Sequence, residues 1–98
     1  MAITTYPGFT PTGKARLTAS TASSNVAIPG TPSLALVTNL GVAPAFVLLG
    51  ASSSVVSTVA TGVTVMPNQS LFLGVGSNTY IAAITQNNWA SLTIDVGN

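Results

Sequence analysis

Histidine, cysteine and glutamate are missing from this chain of 98 residues, and its one acidic side chain is Asp95. General acid-base catalysis needs a titratable group poised near the working pH, and a metal site needs several His, Cys, Asp or Glu donors. Neither can be assembled from this inventory. Serines and threonines are plentiful, but a hydroxyl nucleophile needs a base beside it, and Lys14 alone is a poor one. The expectation is a protein that is not an enzyme, with no catalytic, metal-binding or cofactor-binding residues. Without cysteine there is no disulfide framework, so stability must come from packing or from assembly.

Charge is nearly as scarce. Lys14, Arg16 and Asp95 are the only charged side chains, 3% of the chain, where about 25% is usual. Two cations cannot neutralise a run of phosphates, which argues against nucleic acid as a partner. A surface of Ser, Thr, Asn, Gln, Ala and Gly also lacks the long-range repulsion that keeps copies apart. Contact with further copies, or with another protein, is expected. Such contact would depend on area and fit, so salt, and pH between about 5 and 9, should hardly affect it.

Long apolar runs are lacking too. Residues 34–51 are mostly apolar, but Thr38, Asn39, Gly41, Pro44 and Gly50 interrupt them, and the stretch falls short of the ~20 apolar residues of a spanning helix. The other apolar runs are too short for the strands of a membrane barrel. No membrane partner is expected. The opening MAITTYPGFTPTGK has neither a charged start nor an apolar centre, so no secretory signal is read there. Nowhere does a helical period coincide with good helix formers.

What is present is a series of short strand patterns. In residues 90–96, Ala90, Leu92, Ile94 and Val96 alternate with Ser91, Thr93 and Asp95, which predicts a half-buried strand. Leu71, Leu73 and Val75 share a face before the glycines of 74–78. Residues 79–85 are apolar on both faces, Tyr80, Ala82 and Ile84 against Ile81 and Ala83, as in a central or doubly covered strand. Gln86, Asn87 and Asn88 make a turn, where asparagine tolerates the left-handed conformation. An antiparallel meander of three strands is the economical reading of residues 70–96.

Upstream, Lys14, Arg16 and Thr18 alternate with Ala15, Leu17 and Ala19, predicting a first strand with its charges outward. Arg16 would meet Asp95 if the first and last strands pair. Val26 and Ile28, then 34–39, then 45–49 with Phe46 and Leu48 facing away from Val47 and Leu49, continue the series. Further short strands are expected around Val55 and at 63–65, and Met66, Pro67, Asn68 and Gln69 suggest a type I turn. Two-sided apolar strands in so small a domain imply a subunit interface or a cover of loops.

Strands at this spacing predict an all-β fold, an antiparallel β-sandwich of jelly-roll type with about eight short strands. Residues 14–98 would form this single domain. Residues 1–13, rich in Pro and Gly, would form an extended N-terminal arm whose Tyr6 and Phe9 reach a neighbour. Phe46, Phe72, Tyr80 and Trp89 are further candidates for partner or subunit contacts.

LALVTNLGVAPAFVLLG at 34–50 and MPNQSLFLGVGSNTYIAAITQNNWASLTIDVG at 66–97, set among Ser, Thr and Ala, resemble the small structural proteins that tailed bacteriophages encode near their capsid genes. Among these are capsid decoration, or cement, proteins. The resemblance implies a virion protein on the capsid exterior, made in the host cytoplasm, whose work is binding. Its partners would be itself, as a homo-oligomer with a trimer favoured, and the major capsid protein or another virion protein. The alternative is a fibre-tip, glycan- or receptor-binding module in which Trp89 and Tyr80 stack on a sugar.

Overall fold

The computed structural model describes residues 9–98, all of them in strands, turns and loops. Tyr6, and most of the expected arm, lie outside these residues. The strands are β1 (Pro11–Ala19), β2 (Ser24–Ala27), β3 (Leu34–Asn39), β4 (Ala45–Gly50), β5 (Val63–Val65), β6 (Ser70–Gly74), β7 (Tyr80–Thr85) and β8 (Ala90–Gly97). They form two antiparallel sheets of four: sheet I in the order β1-β8-β3-β6, and sheet II in the order β2-β7-β4-β5. Among the described residues no helix is long and apolar enough to cross a membrane.

The expected alternation places the core. Ala90, Leu92, Ile94 and Val96 of β8 are fully buried with Ala35 and Val37 of β3, and they face Ala45, Val47, Ile81 and Ala83 of sheet II. A fully buried Leu, Ile or Val contributes about 1.5–3 kcal/mol over its exposed state. Many inward residues are alanines, so much of the bulk (Leu34, Leu36, Phe46, Leu48 and Phe72) points outward, where all five are only half-buried. The outer faces therefore need cover.

Sheet II takes its cover from the loop 51–62, where the sequence predicts a short strand around Val55. No strand forms there. The loop leaves β4 and crosses the outer face toward β2, where the Asn25 side-chain amide donates to the Ser53 carbonyl at 2.9 Å. The Ser57 amide donates to Ser23 Oγ at 3.0 Å, and Ser57 Oγ donates to the Phe46 carbonyl at 2.7 Å. Val55 lies on Gly50, where an added Cβ would come within 2.6 Å of two side-chain carbons. Beneath the loop, outward-facing Ala82 is fully buried. A run of Ser and Val can serve this way because its backbone groups bond to the sheet it covers.

Sheet I is crossed near β8 by the start of the described chain. Thr10 and Asn98 exchange backbone hydrogen bonds, and Gly97 has no room for a Cβ because the Thr10 backbone lies on it. Phe9 then meets Phe72 of β6 edge-to-face, with ring centroids 5.3 Å apart and planes at 71°. The first strand begins at Pro11, inside the expected arm, with a bulge between Pro11 and Gly13.

Three further expectations are corrected. β6, β7 and β8 are no meander, because β7 lies in the other sheet. The connection 75–79 arches between sheets: the Val75 amide bonds to Ser33 beside sheet I, and the Thr79 amide to Gly50 of sheet II. The turn Met66–Gln69 has its hydrogen bond from the Gln69 amide to the Met66 carbonyl, but φ at Asn68 is 62°. A positive φ at the third position makes it type II. Finally, β1 and β8 do pair, but the register sets Lys14 opposite Asp95 and Arg16 opposite Thr93. Asp95 is bridged by Lys14 at 3.5 Å, not by Arg16.

Candidate interaction surface

The strand directions gather four loops at one end: 20–23, 40–44, 66–69 and 86–89. Asn39 organises them. It is fully buried. Its side-chain amide donates to the carbonyls of Ala43 (2.8 Å) and Val65 (3.0 Å), and its Oδ1 accepts from the Gly41 amide (2.8 Å). Its own backbone amide donates to Gln69, and its carbonyl accepts from Asn68. The Leu40 amide donates to Ser91 and the Ala43 amide to Trp89, and Gly41 lies so close to the Ala90 backbone that no Cβ fits. Loops 40–44, 66–69 and 86–89 are thus cross-linked by backbone bonds.

On this fixed frame stand large apolar side chains facing water. Leu40 and Val42 are each 58% exposed, Met66 49% and Trp89 46%. Around them, Asn68, Gln69, Gln86, Asn87 and Asn88 are exposed carboxamides. Asn88 takes the left-handed conformation expected of its turn, at φ 65°. The three charged residues are all elsewhere, on the strands of sheet I.

The candidate contact residues scatter. Trp89 belongs to this apolar end. Tyr80 starts β7 and Trp89 follows its end, so the length of that strand, about 17 Å, separates them. They do not form one two-ring platform for a sugar. Phe46 is half-buried beside the loop 51–62, and Phe9 and Phe72 are engaged with each other on sheet I. Leu40, Val42 and Met66 escaped the sequence reading. Their signal was present: bulky apolar residues inside turn segments, NLGVAP and VMPNQ, where polar residues are the norm.

At the opposite end, Gly30, Thr31, Pro32, Gly76, Ser77, Asn78 and Thr79 line a cavity of about 120 Å³. It has no charged group, and the Asn78 side-chain amide is turned to the Val75 carbonyl. Comparison with protein-family models, with curated proteins and with solved structures found no match for the chain. Its function must be read from its own residues.

Proposed function

We propose that this chain is a non-enzymatic structural protein of a tailed-bacteriophage particle, a decoration or cement protein that assembles with its own copies and binds the capsid exterior. The observation that carries this reading is the apolar, charge-free loop end held on a buried asparagine. A surface of that kind suits lasting contact with protein and has no means of chemistry. Nearly charge-free contacts also desolvate no ions on association.

The fold proposed with it is the jelly roll. The pairs β1:β8, β2:β7, β3:β6 and β4:β5 are those of a ribbon of four nested strand pairs. Rolling that ribbon sets alternate pairs in opposite sheets, and β8 then meets β3 while β7 meets β4. Eight strands in two Greek keys make a jelly roll.

Sedimentation equilibrium at low and high salt, followed by co-sedimentation with phage shells stripped of decoration, tests the reading. A salt-resistant closed oligomer that pellets with shells supports it. A chain that stays monomeric at high concentration and leaves shells in the supernatant overturns it.

A further inference from the structure

We infer that the apolar loop end built from Leu40, Val42, Met66 and Trp89 is the surface through which one copy of this chain docks on another. The inference rests on the proposed self-assembly and names the surface that carries it.

Area is the first argument. The four side chains together open roughly 400 Å² to solvent, as large as the largest apolar patch of many monomers, on a chain of only 98 residues. An interface taken whole, core and rim together, is about 57% apolar, so the footprint around this patch reaches roughly 700 Å². A standard interface takes ~800 Å² from each partner. Among the described residues, loop 51–62 crosses the outer face of sheet II and Phe9 packs on Phe72, while the other exposed large apolar side chains, Val56, Val59 and Val63, are all valines on that loop and on β5.

The second argument is the chemistry of the rim, which is compatible with a second copy. Where two identical surfaces meet across a two-fold axis, residue i of one contacts residue j of the other and j contacts i, so both partners bring the same set of rim groups. A charged rim would repel itself. Asn68, Gln69, Gln86, Asn87 and Asn88 are carboxamides, each both donor and acceptor, so the rim can pair with its own image. Rigidity is the third. The Asn39 bonds and the Gly41–Ala90 contact fix the loops before docking, which lowers the entropy cost of association.

The absence of cysteine permits a clean test. In Val42→Cys the new thiol is unique, and a short bis-maleimide should convert most of the assembled protein to covalent dimer; Ser77→Cys, at the opposite end, should stay uncoupled. Independently, Leu40→Ser/Val42→Ser should raise the dissociation constant by sedimentation at least tenfold while its circular dichroism stays that of the parent. An oligomer that persists in the double variant, with no cross-linking at Val42→Cys, overturns this surface and leaves the assembly reading standing. A parent chain that is monomeric at every concentration overturns both. If the double variant unfolds, the cross-linking pair alone decides.

Discussion

The side-chain amide of Asn39, in β3 of sheet I, donates a 3.0 Å hydrogen bond to the carbonyl of Val65, in β5 of sheet II. One side chain thereby ties the two sheets at the end that bears the exposed apolar residues. Both of its amide hydrogens are used, the other on Ala43, and its oxygen holds Gly41. Asn39→Ala leaves two carbonyls and an amide without these partners, at about 1–3 kcal/mol for each one that water cannot reach. We expect a loss of about 3 kcal/mol in urea denaturation. Asn39→Asp should cost more, because a buried carboxylate would face two carbonyl oxygens. A loss below about 1 kcal/mol for either variant contradicts the role given to Asn39.

Gly41 and Gly74 make a matched pair. A Cβ on Gly41 would collide with the backbone of Ala90, whereas a Cβ on Gly74 meets nothing within 4 Å. Backbone cannot step aside as a side chain can. Gly41→Ala should therefore destabilise by about 3 kcal/mol, the upper end for overpacking. Gly74→Ala should be neutral, or stabilising by up to about 1 kcal/mol through the unfolded chain. Thermal denaturation of the two variants side by side gives the ranking, and equal effects would refute it.

Much of this fold was legible in the residues because a half-buried strand repeats its environment every two positions. Ala90 to Val96 and Lys14 to Ala19 alternate cleanly, and both apolar faces point into the core as expected, although Thr93 on the polar face of β8 is buried too. β7 did not specify its sheet: with Tyr80, Ala82 and Ile84 on one face and Ile81 and Ala83 on the other, either face could be the core. Its long-range pairing with β2 and β4 places it in sheet II, and the bonds at Val75 and Thr79 mark where the chain changes sheets. The ion pair went to the wrong cation because register depends on long-range pairing, and Lys14 and Arg16 share one face two residues apart. Pro67 suited turns of both types, while Asn68 behind it was the residue that favoured type II. Apart from Trp89, the apolar loop end is not legible from alternation, because turn residues such as Leu40, Val42 and Met66 follow no strand period.

Register makes the ion pair testable. Lys14 Nζ lies 3.5 Å from Asp95 Oδ1, with the two side chains 58% and 30% exposed. Solvent screening limits such a pair to about 0–1 kcal/mol. A double-mutant cycle with Lys14→Gln and Asp95→Asn should give a small coupling that fades in high salt. The corresponding cycle with Arg16→Gln should give none. Coupling of Asp95 to Arg16 and not to Lys14 would mean that β1 sits in another register.

Loop 51–62 should behave as a hinged cover. Besides the bonds from Asn25 to Ser53 and from Thr79 to Ala51, it is attached through Ser57, whose Oγ donates to Phe46 at 2.7 Å and whose amide donates to Ser23 Oγ at 3.0 Å. Ser57 is fully buried, whereas Ser52, Ser53 and Ser54 are exposed, so the serines of this run are not equivalent. Ser57→Ala removes the bond to the part-buried Phe46 carbonyl and leaves it with one partner fewer, at about 1–2 kcal/mol. The cost should be local. Cleavage within 51–56 by a protease of broad specificity should accelerate several-fold, and a dye that fluoresces on apolar surface should report the uncovered face around Leu48 and Ala82. Ser53→Ala should change neither, since the bond from Asn25 ends on the Ser53 backbone carbonyl and not on its hydroxyl. If Ser57→Ala leaves cleavage and dye binding at parent levels, the loop is held by the packing of Val55 on Gly50, and Val55→Ala would then produce the opening.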